Sequence, residues 1–210
     1  RRTYITEGIS ALLGIALRRL SGQGGDPVVQ LQTTFGGGKT HTMLVLYHLF
    51  GGKLKAPEIP GLERILAESG VSGLPVAKRA VINGVTFSPV TPRQKPGGIL
   101  TRTFWGEIAY QLGQEEGYEL VAEADRCGVS PGAEVLRVIF ERFGPALILI
   151  DEWVAFARQL YGREDSLPAG SFDANLSFAQ ALTEAASMVK NTLVVLSVPE
   201  SDIEVGGEHG

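Results

Sequence analysis

The sequence contains a single cysteine, Cys127, so no disulfide can form within one chain. No apolar run approaches the roughly 18–20 residues that a helix needs to cross a bilayer. No signal-peptide pattern follows Arg1 and Arg2. Basic residues are not in excess, because 19 Lys and Arg stand against 23 Asp and Glu. This balance indicates no nucleic-acid or membrane surface, and we expect a cytoplasmic protein without a membrane span.

Glycine and apolar residues are abundant instead. Of the 210 residues, 27 are glycine and 44% are hydrophobic, so the chain can bury a core. This composition excludes a chain that is disordered over its whole length. The length suits one α/β domain. Because the chain begins with arginine and stops in a glycine-rich acidic stretch at 206–210, we expect residues 1–210 to be one domain of a longer protein.

Apolar periodicity predicts strands that alternate with helices. Strands are predicted at 28–32, 80–87, 146–150 and 192–198, and helices at 6–20, 40–50, 104–112, 118–126, 130–143, 152–161 and 173–190. A Gly- and Pro-rich insertion at 51–78 contains one short predicted helix, at 62–68. On the last helix we expect five residues to face inward: Leu176, Ala179, Leu182, Ala186 and Val189. This alternation predicts a mostly parallel sheet with helices on both faces, which binds ligands at the carboxyl ends of its strands.

A glycine-rich segment joins the first strand to the second helix. It reads Thr33-Thr34-Phe35-Gly36-Gly37-Gly38-Lys39-Thr40. The phosphate-loop pattern is G-x-x-x-x-G-K-[ST], which Gly38, Lys39 and Thr40 match, whereas Thr33 replaces the first glycine. Glycines let backbone N–H groups converge on phosphate oxygens, and the helix directs its positive end at the same anion. The alternative is an ordinary glycine-rich turn, but the flanking strand and helix favour a phosphate loop.

The predicted nucleotide-binding residues are Thr33, Thr34, Phe35, Gly36, Gly37, Gly38, Lys39, Thr40 and His41. Within this set, we expect Lys39 to reach the β- and γ-phosphates of ATP and the Thr40 hydroxyl to bind Mg²⁺. His41 has the alternative of a packed or solvated side chain. The predicted ligands are therefore ATP and Mg²⁺.

Two carboxylates follow the apolar strand predicted at 146–150. Phosphoryl transfer needs an acid that holds the metal at a strand end near the phosphate loop, and Asp151 suits that role. Glu152 suits the role of the base that activates the attacking water. The alternative is that both residues merely begin a helix, where carboxylates are favourable. Their position downstream of a phosphate loop favours catalysis.

The order of strands and motifs looks like the additional-strand, catalytic-glutamate class of P-loop ATPases. In that class, the strand at 192–198 would insert between the two motif strands. Its end would then offer a polar residue to the γ-phosphate. Ser197 is the first candidate for this sensor role and Ser201 the second, with an ordinary serine at a strand end as the alternative.

Four stretches carry a closer family resemblance: LQTTFGGGKTHTMLVLYHLF, TFWGEIAYQLG, LILIDEWVAFARQL and VVLSVPESD. Together with the opening RRTYITEG, they resemble large, poorly characterised prokaryotic ATPases of the AAA+ superfamily found in defence-type gene clusters. The resemblance implies a three-layer α/β P-loop NTPase sandwich that serves as the ATP-driven module of a multidomain protein. It further implies a helical lid, which we expect this chain to lack, and an arginine from a neighbouring subunit of a homo-oligomer.

We expect an ATPase that uses water to attack the γ-phosphate. The alternative is a switch or scaffold that holds ATP without useful turnover, because the first loop glycine and the lid are missing. A GTPase ranks lower because the guanine-reading N-K-x-D motif is absent. A kinase ranks lower because the adjacent Asp151 and Glu152 favour water as the nucleophile. Arg93 and Lys95 form a basic loop, but nucleic acid is not indicated by charge.

Overall fold

The computed structural model describes residues 7–32 and 38–198 and has an α/β architecture. Its strands are β1 (Val28–Leu31), β2 (Lys78–Asn83), β3 (Arg93–Gln94), β4 (Leu100–Thr101), β5 (Ala146–Asp151) and β6 (Thr192–Ser197). Its α-helices are α1 (Glu7–Leu20), α2 (Lys39–Leu49), α3 (Leu62–Ser69), α4 (Phe104–Glu119), α5 (Ala122–Cys127), α6 (Ala133–Phe143), α7 (Trp153–Leu160) and α8 (Phe172–Met188). None of the helices in these two ranges combines the length and apolarity that crossing a bilayer requires.

Four parallel strands form the main sheet, in the order β1-β6-β5-β2. The predicted parallel sheet is thus confirmed, and β6 lies between β1 and β5 as the resemblance implied. The register pairs Leu31 with Ser197 and Asn83 with Asp151, so all four strands end near one edge. Every residue of β5 is buried, as expected for a central strand covered on both faces.

Two apolar clusters cover the two faces of the sheet. Ile148 and Ile150 of β5 belong to the cluster that includes residues of α4, α6, α7 and α8. Leu147 and Leu149 belong to the cluster that includes residues of α1, α2 and α3. Alternate side chains of one strand therefore enter opposite cores, which makes three layers of helix, sheet and helix.

Arg19 is buried at the end of α1 and ties that helix to α8 and β6. Its Nη2 donates to the carbonyl oxygens of Ala186 at 2.5 Å and Val189 at 2.8 Å, and its Nε donates to that of Thr192 at 2.8 Å. These acceptors lie at the end of α8 and the start of β6, where helical carbonyls lack partners within the helix. One guanidinium thus fixes where β6 enters the sheet.

The small hairpin of β3 and β4 is joined to the sheet by the buried carboxylate of Glu107. This carboxylate accepts from Lys95 Nζ at 2.7 Å, Thr101 Oγ1 at 2.7 Å and Gln111 Nε2 at 2.8 Å. Burial opposes ionisation of Glu107, but these bonds outweigh it and hold the pKa of the carboxyl below its usual value. Gln111 also pairs with both backbone polar groups of Val81, which satisfies part of the edge strand β2.

A second buried carboxylate, Asp125, organises the start of α4. It accepts from the backbone N–H groups of Arg102 and Thr103 and from the hydroxyl groups of Thr103 and Tyr118. Burial and the adjacent Asp125 charge raise the pKa of Tyr118 to about 12. Because both carboxylate oxygens accept hydrogen bonds and the Arg102 guanidinium lies 3.5 Å from Oδ2, this buried charge is compensated.

Several predicted boundaries are wrong. Strand β2 ends at Asn83 instead of residue 87, because the Asn83 side chain accepts from the N–H groups of Val85 and Thr86 and turns the chain. Helices were predicted at 104–112 and 118–126. In the structure, α4 continues to Glu119 with an interruption at Gln114, and the short α5 begins only at Ala122. The start of α6 was predicted at residue 130, which is too early, since the helix begins at Ala133 after Gly132.

The inward face predicted for the last helix is partly wrong. Leu182 and Ala186 are buried, but Leu176 is 48% exposed, and Asn175 is buried in its place. The Asn175 Nδ2 donates to the carbonyl oxygens of Ala169 and Ser171, so the amide nitrogen is partnered near the start of the helix. This local polar contact thus turns Asn175 inward in place of Leu176, which the apolar periodicity had predicted to face the core.

Candidate functional site

Three side chains meet at the carboxyl edge of the sheet, around Asp151. The Thr40 hydroxyl donates to Oδ2 of Asp151 at 2.8 Å, and the Ser197 hydroxyl donates to Oδ1 at 2.5 Å. Asp151 ends β5 and Ser197 ends β6, whereas Thr40 belongs to the first turn of α2. Each carboxylate oxygen of the buried Asp151 therefore has a hydroxyl partner from a different element.

The first turn of α2 contains no acidic side chain. Gly38 is the N-cap residue, and because glycine has no side chain, it makes no capping bond. Lys39 is buried, whereas Thr40 and His41 are exposed. The positive end of the helix is therefore not neutralised by a neighbouring carboxylate of its own, which suits an anion. The other predicted loop residues, 33–37, lie outside the described part of the chain.

Glu152 directly follows β5 and has an unusual backbone. Its φ and ψ are 56° and 39°, in the left-handed region, and it is the N-cap residue of α7. Its side chain makes no capping bond and is exposed. At the start of α7, therefore, Asp151 bonds to Thr40 and Ser197, and Glu152 makes no side-chain capping bond.

The backbone of Glu152 is held from both neighbouring strands. On one side, its N–H donates to the Ser197 hydroxyl oxygen at 2.9 Å. On the other, Gly84 donates its N–H to the Asp151 carbonyl at 2.8 Å and lies against the carbonyl of Glu152. The sequence-based prediction missed Gly84 because it extended β2 to residue 87. The dipeptide Asn83-Gly84 is a turn signal that would have located it.

An open cleft of about 360 Å³ adjoins the site, between α2 and the strands β2 and β5. Its lining includes Thr40, Asn83 and Asp151 at the polar end. The remaining lining residues are mostly apolar: Met43, Leu44, Tyr47, Val81, Ile82, Gln111 and Leu149. Thr40 and Asp151 are therefore reachable by a ligand even though Asp151 is largely buried.

The residues present suit a cation that binds only a few protein ligands. Within residues 7–32 and 38–198, no three His, Cys, Asp or Glu residues cluster as a complete metal cage. Mg²⁺ commonly takes one or two protein ligands plus phosphate oxygens and waters, so it does not need such a cage. The Thr40 oxygen retains its lone pairs while its hydrogen binds Asp151, so the hydroxyl can bind a cation without losing that contact.

Several basic residues near the sheet and the hairpin contribute less to the site. Arg102 contacts Asp125, Arg163 donates to the Gln159 carbonyl, and Arg158 is exposed on α7, so the structure singles out none of these three arginines as an arginine finger. Arg93 lies 4.1 Å from the ring centre of Phe87, and Lys95 pairs with Glu107. Both basic side chains of the hairpin are thus engaged within the chain. Ser201 lies outside the described residues.

Comparison with known proteins gives one family. The chain matches the family model described as DUF499 N-terminal domain over residues 1–209. No curated protein matches the chain. The family description names no activity, so the resemblance to AAA+ ATPases of defence-type clusters stays a prediction.

Proposed function

We propose that this chain, which belongs to the DUF499 N-terminal domain family, binds ATP with Mg²⁺ and hydrolyses its γ-phosphate. The observation that carries the proposal is the hydrogen bond between Thr40, at the start of α2, and Asp151, at the end of β5. Two separate sequence motifs, each typical of phosphoryl transfer, meet at this bond. The glycine-rich loop that precedes Thr40 would bind the phosphates.

Each residue has a defined role in the proposed reaction. Gly38 and the following N–H groups of α2 bind phosphate oxygens, and Lys39 neutralises the β- and γ-phosphates. Thr40 would hold Mg²⁺ directly, and Asp151 would hold it through water. When bound, the metal supplies positive charge that offsets the charge developing on the transferred phosphoryl group.

Glu152 is the proposed general base. Its exposed carboxylate is not used to cap α7, so it can accept a proton from a water that attacks the γ-phosphate. The water oxygen forms a bond to phosphorus, the bond to the ADP oxygen breaks, and the proton passes to a Glu152 oxygen. The products are ADP and inorganic phosphate.

Sheet topology supports the finer assignment of the fold. We infer a P-loop NTPase sandwich of the additional-strand, catalytic-glutamate type, since β6 lies between β1 and β5 and ends beside Asp151. By its motifs, the module resembles the AAA+ ATPases of defence-type clusters. We therefore propose that it works in the cytoplasm within a longer parent protein, as part of a homo-oligomer.

Calorimetry with Mg·ATP tests binding. We expect Lys39→Ala to weaken binding at least tenfold, because the lysine charge no longer offsets the phosphates. The matched control is Lys53→Ala, which removes an exposed lysine outside the loop and should bind as the parent does. Loss of binding in both variants, or in neither, would contradict the assigned role of Lys39.

Phosphate release tests the chemistry. Glu152→Gln should retain ATP binding but lower turnover by about 10²-fold or more, the usual contribution of a general base. Glu164→Gln, at another exposed glutamate, is the control. Binding without turnover in the parent chain would favour the alternative of a nucleotide-binding switch or scaffold. Absence of ATP binding would contradict the proposal itself, and preference for GTP would contradict the choice of ATP.

A further inference from the structure

We propose that Ser197 and Gly84 are positioning residues that clamp the backbone of Glu152 from both sides. This inference rests on the proposed function, and it assigns Ser197 a role different from a direct contact with the γ-phosphate. Ser197 ends β6 and Gly84 follows β2, and these strands flank β5 on either side. The residue between them is the proposed general base.

The backbone of Glu152 needs such support. Among the described residues other than glycine, only Gln114 and Glu152 have positive φ. Gln114 lies at an interruption of α4, whereas Glu152 lies at the candidate site. A side chain with a Cβ atom is disfavoured in the left-handed region, and it persists there only when surrounding contacts over-determine it.

Ser197 supplies one of these contacts. Its oxygen accepts from the Glu152 N–H at 2.9 Å while its hydrogen is donated to Oδ1 of Asp151 at 2.5 Å. The side chain is buried, with 2% exposed. A serine hydroxyl has one hydrogen, so as long as Asp151 accepts it, none remains to donate to a phosphate. The hydroxyl therefore links the proposed metal-holding acid to the backbone of the proposed base.

Gly84 supplies the other contact. Because it has no side chain, its backbone lies directly against the carbonyl of Glu152. A Cβ at this position would collide with the carbonyl oxygen of Glu152 and would lie 3.0 Å from Cβ of Phe156. The φ of Gly84 is not in the left-handed region, so space, and not backbone conformation, requires glycine here. Alanine at position 84 would displace the Glu152 peptide without removing any hydrogen-bonding group.

Hydrogen exchange tests the clamp without any ligand. In the 210-residue chain, the Glu152 amide should exchange at least about tenfold faster in Ser197→Ala than in the parent, because its acceptor is gone. Gly84→Ala should also speed exchange at Glu152. The matched controls are Ser187→Ala, at an exposed serine, and Gly73→Ala, where a Cβ meets nothing within 4 Å. Unchanged exchange in both test variants would overturn the clamp.

Kinetics test its consequence. Gly84→Ala should lower kcat at least tenfold and leave the dissociation constants for Mg·ATP and Mg·ADP within about twofold. Ser197→Ala, which also removes a hydrogen bond to the proposed metal-holding Asp151, should lower kcat at least tenfold and change the two dissociation constants by the same factor. In a Glu152→Gln background, Gly84→Ala should lower turnover no further, because it acts through that carboxylate. Selective loss of ATP affinity over ADP affinity, in either background, would instead show a phosphate contact and overturn the positioning role.

The two proposals fail in different ways. If the parent chain neither binds nor hydrolyses ATP, the proposed function is wrong, and the exchange rates alone decide the clamp. If Ser197→Ala does not fold, which its melting curve would reveal, Gly84→Ala carries the same two measurements. An unchanged kcat in a folded Gly84→Ala with displaced Glu152 would overturn the link between the clamp and catalysis.

Discussion

Thr40 and Asp151 lie 111 positions apart in the chain and are joined by a hydrogen bond of 2.8 Å from the threonine hydroxyl to Oδ2. Thr40 is positioned by the first turn of α2 and Asp151 by the buried strand β5. Because side chains of both elements pack in the same apolar cluster, the distance between the two groups is set by the fold. This pair accordingly provides the sharpest test of the proposed metal site.

Thr40→Ala should lower the affinity for Mg·ATP at least tenfold because it removes the hydroxyl proposed to bind the cation. Binding of ATP in excess EDTA should be unchanged, since phosphate contacts do not involve this hydroxyl. Thr40→Ser keeps the hydroxyl and is the control. Calorimetric titrations with and without Mg²⁺ give both constants. Equal losses in the two conditions would show that Thr40 contributes to phosphate binding and not to metal binding.

Arg19→Met should destabilise the fold. The substitution leaves the carbonyl oxygens of Ala186, Val189 and Thr192 without their buried donor. Each buried unsatisfied group costs about 1–3 kcal/mol, so we expect a loss of at least about 3 kcal/mol in the free energy of unfolding, measured in urea. Arg64→Met, at an exposed arginine, should change it by less than about 0.5 kcal/mol. Similar losses in both would contradict the role of Arg19.

Stability should depend on pH through Glu107. Its pKa in the folded chain lies below the usual 4.5, so the folded state binds fewer protons than the unfolded state near that pH. The stability that the ionised carboxylate contributes is present above pH 4.5 and is lost as the pH falls through the lower folded pKa. The difference in unfolding free energy between the parent and Glu107→Gln should therefore shrink on acidification. A difference that grows on acidification would show that folding raises the pKa of Glu107 instead of lowering it.

Tyr118 should titrate late and make stability fall at high pH. Its pKa is raised from 10.0 to about 12 in the folded chain, so the folded state holds this proton more tightly. The resulting stabilisation is complete below pH 10 and is lost as the pH rises towards 12. Tyrosinate absorbance should show a late phase that Tyr118→Phe removes and that Tyr161→Phe, at an exposed tyrosine, retains. Loss of the late phase in the second variant only would contradict the assignment.

Local spacing was enough to locate the main strands and most helices. Apolar alternation and continuous apolar runs depend on neighbours in the chain, so β1, β5 and β6 were found within one residue at each end. The end of β2 was not, because the Asn83 side chain turns the chain where β-forming residues continue. The inward face of α8 was also misjudged at Leu176, since Asn175 finds backbone partners in the core.

The sequence by itself determined the alternation of strands and helices and the positions of the two motifs, because those patterns are local. The place of β6 between the motif strands was expected only from family resemblance, not from spacing. Only the tertiary structure decided that Asp151 sits between Thr40 and Ser197, and that Gly84 and Ser197 hold Glu152 on opposite sides. These contacts depend on strand order and register, which bring together residues far apart in the chain, and no local pattern encodes them.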